Sequence, residues 1–462
     1  MMVVLWTDAL LWLVFALGLG YGLYAARRPH LRAPWRRVVR SRTALAAAVV
    51  LAAYAVVGLL DSIHLRAGPR DQGPYAGEVV SLLDRLLTPL RVHQEKTYAA
   101  PFALHLYARE TVQGPDGRPL RTWPRLRWAP EGVDEAHKAG HILRLALKGV
   151  LWGLMAWLAF WGLLAAALAR VRRATFGGTA RRLVRGGDPV PWPTLLGTAA
   201  LVLVVAGVLA AWAPHYHVLG TDKVGEDVLY QALKSVRTGI VIGTLTTLVM
   251  LPAAILLGIA AGYFRGWVDD VIQYVYTTLS SIPGVLLIAA AVLMLQIYMS
   301  NHPGEFDSLV RRADLRLLFL CLILGITSWT TLCRLLRGET LKLRDQDYVQ
   351  AAHAFGVAHF TIIARHILPN VLHIVLITLV LDFSGLVLAE AVLSYVNIGV
   401  DPTMNSWGNM INGARLELAR EPMVWWSLAA AFLFMFGLVL AANLLSDVVQ
   451  AAFDPRTRGA RR

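Results

Sequence analysis

Apolar residues in this chain come in long unbroken runs rather than in alternation. Nine runs stand out, near 3–26, 44–60, 149–168, 194–213, 238–262, 272–298, 316–336, 371–397 and 424–446. Each is of the length, roughly 17 to 25 residues, that crosses a hydrocarbon layer about 30 Å thick as a helix. A membrane barrel would show short strands of alternating polarity instead. The pattern predicts an all-α integral membrane protein, a polytopic helical bundle of about nine transmembrane helices.

Charge placement orients the runs. No Lys or Arg precedes the first run, and Arg27 and Arg28 follow it. This predicts an uncleaved helix with the N-terminus outside. The segment from Arg27 to Thr43 carries seven arginines and no acid, and that from Arg170 to Gly187 carries six and no acid. Both are expected in the cytoplasm. Residues 61–148 mix charges with Pro, Gly and aromatics, as a small folded extracytoplasmic region would. Alternation then puts 338–370 inside, 398–423 outside, and the tail Arg456 to Arg462 inside.

Composition agrees, with 56% hydrophobic and 16% charged residues and a mean hydropathy of +0.54. The net charge of +14 sits in clusters beside apolar runs, which marks it as topogenic and argues against nucleic acid as a partner. Cys321 and Cys333, both in one apolar run, form neither a disulfide framework nor a CxxC metal site. His353, His359 and His366 lack a cysteine or carboxylate to complete a ligand set, so no metal site is expected.

The segment Arg337 to Asn370 is amphipathic. Tyr348, Ala351, Ala352, Phe355, Gly356 and His359 recur at helical spacing on one face. Small Ala351, Ala352 and Gly356 admit close approach of another surface, with Phe355 as an apolar anchor. Pro369 is expected to break the helix and hold the preceding residue extended. Such a face suits a partner protein or lipid headgroups, and spacing leaves both open.

The longer string RDQDYVQAAHAFGVAHFTIIARHILPN (Arg344 to Asn370) closely resembles the coupling loop of bacterial ABC-importer permeases of the dipeptide, oligopeptide and nickel type. LGTDKVGEDVL (Leu219 to Leu229), AGYFRGWVDDVI (Ala261 to Ile272), SSIPG (Ser280 to Gly284), LAEAVLSYVNIGV (Leu388 to Val400), NSWGNM (Asn405 to Met410) and FDPR (Phe453 to Arg456) surround it in family order. The resemblance, to the C-type subunit, covers about 194–457. It implies a six-helix permease domain at 191–462 behind an extension, 1–190, with three further spans. It also implies a bacterial inner membrane location, a second homologous permease, one or two ABC ATPase subunits holding ATP and Mg, and an extracytoplasmic solute-binding protein. ATPase coupling would fall to Tyr348, Gln350, Ala351, Ala352, Phe355, Gly356, His366, Leu368 and Pro369. This chain has no GxxxxGK[ST] loop, so it is expected to be a non-catalytic subunit without a cofactor of its own.

Departures are informative. Gln350 stands where the family usually has Glu, removing a charge from the docking face. The outer segment Asp401 to Gly408 is less proline-rich than its counterparts, and the first 190 residues have none. Asp382 and Glu390 lie in an apolar span, where ionisable groups line a path or hold helices together. Pro283, with Gly284, either opens its helix toward a path or kinks it for packing. Trp407 and Gly408 could anchor at the interface or touch the binding protein. A secondary transporter or a membrane sensor built on 61–148 are the alternatives.

Overall fold

A computed structural model describes residues 2–66, 79–113, 119–302 and 308–453. The basic tail Arg456 to Arg462, the end of the FDPR motif, and residues 67–78 and 114–118 of the expected extracytoplasmic region lie outside the described residues. In chain order the first helices are α1 (Trp6–Arg27), α2 (Pro29–Arg40), α3 (Arg42–Asp61), α4 (Leu82–Leu86) and α5 (Thr88–Val92). Then come α6 (Glu135–Arg172), α7 (Phe176–Arg185), α8 (Trp192–Trp212), α9 (Val228–Phe264), α10 (Gly266–Ser281), α11 (Gly284–Asn301) and α12 (Leu309–Arg344). Short α13 (Asp347–Ala354) and α14 (His359–Ile362) precede a π-helical turn at Ile363–Ile367, followed by α15 (Leu368–Tyr395), α16 (Trp407–Glu417) and α17 (Trp426–Phe453).

Among the described residues, nine helices are long and apolar enough to cross a membrane: α1, α3, α6, α8, α9, α11, α12, the run from α14 through α15, and α17. Each expected run has its helix, with one difference. The sixth, read over 272–298 with an opening or kink at Pro283, is fully interrupted where Ile282 turns extended (φ −86°, ψ 129°) and Pro283 opens α11. Proline supplies no N–H to the preceding turn and pushes its predecessor out of the helical region. Short strands complete the fold. β1 (Met2–Val3), β2 (His64–Arg66) and β3 (Val79–Ser81) make an antiparallel sheet, and β4 (Glu110–Gln113) with β5 (Pro119–Thr122) a hairpin.

The chain divides into two compact units. The first takes residues 35–238 and 405–448 with β1. At its centre α6 and α8 run antiparallel with their backbones in contact. A Cβ on Gly149 would lie 2.5 Å from Val208 Cα, and one on Gly153 2.5 Å from Val204 Cα. Gly149 and Gly153 are one helical turn apart, the spacing that lets membrane helices approach closely. Indole N–H groups fasten both ends, Trp157 donating to the Leu196 carbonyl at 2.9 Å and Trp212 to that of Ile142 at 3.0 Å. Amphipathic α7 covers the hairpin, burying Ala180 and Leu183 against Ala165 and Leu196.

Polar clusters organise the rest of this unit. Lys234 on α9 reaches Asp61 at 2.6 Å and Asp84 at 2.9 Å, and Tyr230 donates to Asp84 at 2.8 Å. Asp84 also closes a capping box with Ser81. The LGTDKVGEDVL string folds as a tight loop against residues 94–99. Gly225 (φ +80°) is required there, because a Cβ would fall 1.8 Å from the Glu95 carbonyl oxygen.

Just ahead of that loop His217 is buried 2.7 Å from Asp227 and 3.9 Å from Glu95. Burial opposes its charge, but the two carboxylates outweigh it and push its pKa up to about 9. A raised folded-state pKa gives stability that is complete below the unfolded value of about 6.5 and is lost as pH rises through about 9. The melting temperature in detergent is therefore expected to fall between pH 7 and pH 9.5, and to fall less in a His217→Gln variant. Equal slopes would exclude His217 as the cause.

The second unit takes residues 4–34 and 239–404 and the end of α17 from residue 449. Asp314 on α12 caps α1 from more than 300 positions away, accepting from the Trp6 N–H at 2.9 Å, the Thr7 N–H at 3.4 Å and the Thr7 hydroxyl. It supplies acceptors for amides that the helix itself cannot satisfy. Gly258 and Gly262 let α9 press on α12, their Cβ positions lying 2.8 Å from the Cys333 carbonyl oxygen and 2.7 Å from that of Arg337. Around this crossing Met250, Ala254, Ile259, Trp329, Leu332 and Leu336 form a core that extends to Val349, Ile362, Ile367 and Val371. Both cysteines are free and buried.

Candidate functional site

The segment between α12 and α15 has one face in this core and one face bare. Val349, Ile362 and Ile367 are fully buried, and Ala352, Val357 and Leu368 pack partly against them. Tyr348 (43% exposed), Ala351, Phe355 (86%) and Phe360 (80%) point outward. Ala352 therefore belongs to the core side, not to the partner face expected for it. Val349 faces the core, Tyr348 and Ala351 lie on the bare flank of the short helix, and Ala352 sits between them. Phe360 was not singled out in the sequence, yet it stands nearly as exposed as Phe355, five residues before it.

The expected single helical face is also split. α13 stops at Ala354, and Gly356 takes φ +71° while its N–H bonds the His353 carbonyl at 2.9 Å and that of Val357 bonds Ala352 at 3.1 Å. This is a left-handed helix stop, which favours glycine. His359 opens the next helix, α14, and does not continue the face of α13. A Cβ on Gly356 would meet nothing within 4 Å, so its exposed backbone is open to a partner as well as conformationally special.

Pro369 corrects another expectation. Leu368 is helical (φ −53°, ψ −44°), and Pro369 lies in the first turn of α15 without ending the helix. The π turn at Ile363–Ile367 widens the backbone just ahead of the ring. Such a turn re-registers the hydrogen bonds where proline supplies no donor. Near it, Asn370 donates to the His366 carbonyl at 2.7 Å and to the Tyr348 hydroxyl at 3.3 Å, with the Tyr348 and His366 rings 6.0 Å apart.

The exposed Gln350 side chain donates from Nε2 to the Asp345 carbonyl at 3.3 Å. A glutamate could not make that bond, which gives the departure from Glu a local purpose. Two ion pairs brace the base of the loop. Arg265 holds Asp345 at 2.9 Å, and Arg337 grips Asp269 through two nitrogens at 2.6 and 2.7 Å. The Arg337 guanidinium keeps the Asp269 carboxyl below the usual carboxylate range.

The remaining candidates lie apart from this surface. Pro283 is exposed at the break between α10 and α11. Asp382 is half-buried on α15, and no hydrogen bond or ion pair is found for it among the described residues. Glu390 is 2% exposed and accepts from Ser394 at 2.7 Å within the same helix. Trp407 corrects the interfacial reading: it is 1% exposed, its indole donates to the Ala232 carbonyl at 3.1 Å, and Gly408 beside it is buried too. Neither side chain position is free to touch a binding protein.

Residues 254–459 match the family described as the binding-protein-dependent transport system inner membrane component. The chain is 31% identical over 244 residues to the glutathione transport system permease protein of Pectobacterium atrosepticum, spanning 52% of this chain and 73% of that one. It is 30% identical to the oligopeptide transport system permease protein of Mycobacterium tuberculosis, over 53% of this chain and 78% of the relative. With the dipeptide transport system permease protein of Bacillus subtilis the identity is 28%, over 52% and 69%.

Proposed function

Because this chain belongs to the inner membrane components of binding-protein-dependent transport systems, we propose that it forms one half of a peptide path and receives its drive through the surface around Phe355 and Phe360. It is a multi-pass, non-catalytic permease subunit of an ABC importer. The observation that carries the docking assignment is the two-sided loop: Val349, Ile362 and Ile367 hold it to α9 and α12 while Tyr348, Ala351, Phe355 and Phe360 stay bare. A partner pressing on such a surface moves the helices behind it as a body.

The partners in this reading are a second homologous permease, one or two ATPase subunits carrying ATP and Mg, and an extracytoplasmic solute-binding protein. The arginine-rich segments around α2 and α7 favour an inside location for both, with the N-terminus outside and the C-terminus in the cytoplasm. Relatives named for glutathione, oligopeptide and dipeptide transport favour a peptide or peptide-like cargo. Co-purification tests the assembly, since an ATPase and a second permease should travel with this chain. Uptake into vesicles should need ATP and no ion gradient; uptake driven by an ion gradient alone would overturn the assignment.

Asp382 and Glu390 separate into different roles. Glu390 is buried and hydrogen-bonded within its helix, so it holds structure. Asp382 lacks such a bond and is the better candidate for the path. Asp382→Asn is expected to lower uptake of peptides with a free amino terminus about tenfold more than that of blocked peptides, whereas Glu390→Gln should reduce the amount of folded protein. Equal loss for both cargoes in Asp382→Asn would remove Asp382 from the path.

A further inference from the structure

One phenol ties both short helices of the coupling loop to a transmembrane helix. Tyr263, in the last turn of α9 and 2% exposed, places its hydroxyl 2.9 Å from His353 Nε2 on α13 and 2.9 Å from His359 Nδ1 on α14. The His353 ring lies nearly parallel to the phenol ring at 5.7 Å, and the His359 ring stands edge-on at 5.6 Å. The left-handed turn at Gly356 folds α14 back so that both imidazoles reach the same atom.

A phenol has one hydrogen. To bridge both rings it donates to one nitrogen and accepts from the N–H of the other. At least one facing nitrogen must be bare, so the bridge holds while the pair carries at most one extra proton. A second proton leaves the phenol hydrogen without its acceptor. It also sets two imidazolium rings 5.2 Å apart, with the Arg344 guanidinium of α12 6.0 Å from the Tyr263 ring. Next along the chain from α9, Arg265 is engaged by Asp345, and Phe264 packs on His359 without charge. No carboxylate bonds either imidazole among the described residues, so no protein anion offsets the second charge.

We propose that Tyr263 is the positioning residue through which α13 and α14 move α9, and that this linkage opens when His353 and His359 are both protonated. The proposal rests on the docking role assigned above to the loop. It makes coupling, rather than ATPase binding, fall on acidification.

The test uses the complete transporter in vesicles, with ATPase retention, ATP hydrolysis and peptide uptake read on the same samples. Tyr263→Phe removes one oxygen and keeps the ring. It is expected to retain the ATPase and to lower uptake per ATP about fivefold or more at pH 7.5. The wild type is expected to show a similar fall between pH 7.5 and 5.5. In the combined variant His353→Gln and His359→Asn, amides replace Nε2 and Nδ1 without titrating, so coupling should hold across that range. A wild-type ratio in Tyr263→Phe, or the same acid fall in the amide variant as in the wild type, overturns the proposal. Loss of the ATPase from the wild-type chain overturns the docking assignment itself, and this inference with it.

Discussion

Phe355→Asp should release the partner ATPase from an otherwise normally inserted transporter. The ring is 86% exposed and lies just past the end of α13, with buried Val349 and half-buried Ala352 holding that helix from behind. Losing an aromatic anchor typically costs about 2–4 kcal/mol of binding, or roughly 30- to 1000-fold in affinity. A carboxylate in its place adds the cost of desolvating a charge. Retention of the ATPase on affinity-purified permease measures the effect. Because the side chain contributes little to this chain's own core, the amount of membrane-inserted protein should stay at the wild-type level. Unchanged retention would move the docking surface elsewhere.

Gly153→Leu should part the α6 and α8 hairpin. A Cβ there lies 2.5 Å from Val204 Cα and 2.7 Å from the Leu203 carbonyl oxygen. Both neighbours are backbone, so no rotamer change relieves the clash and the helices must separate. Overpacking typically costs about 1–3 kcal/mol, and backbone neighbours that cannot yield put this site at the upper end. Separation would also strain the Trp157 and Trp212 bonds that fasten the two ends. Thermal unfolding in detergent should show a melting point well below wild type. Gly162→Leu, on the same helix with nothing within 4 Å of its Cβ position, should be nearly neutral. If both variants melt alike, close approach at Gly153 is not what stabilises the pair.

The nine spans were legible because membrane crossing demands uninterrupted apolar length, a one-dimensional property. The break at Pro283 was partly legible, since proline's effect on its own turn is local. Pro369 misled for the same reason. Its local rule is sound, but a π turn upstream accommodates the ring, and nothing in Ile363–Ile367 announces that turn. Trp407 misled differently. An indole near an apolar run suits the interface or the core equally, and only the Ala232 carbonyl decides between them. The glycine pairs at 149/153 and 258/262 carry a visible spacing, yet which helix each pair meets is settled by packing. The Tyr263 bridge joins residues 90 and 96 positions apart, beyond any periodicity within one helix.

The cap on α1 sets an order in time. Trp6 is made before the Asp314 that accepts its N–H, which comes 308 positions later. At about 5–20 residues per second, the ribosome needs roughly 15–60 s to cover that distance. Throughout this interval α1 must remain in the bilayer with its first amides lacking their final acceptor. Its own hydropathy has to carry the waiting period. A polar substitution in the middle of α1 would therefore act first on how much protein matures, before the finished transporter has any turnover to lose.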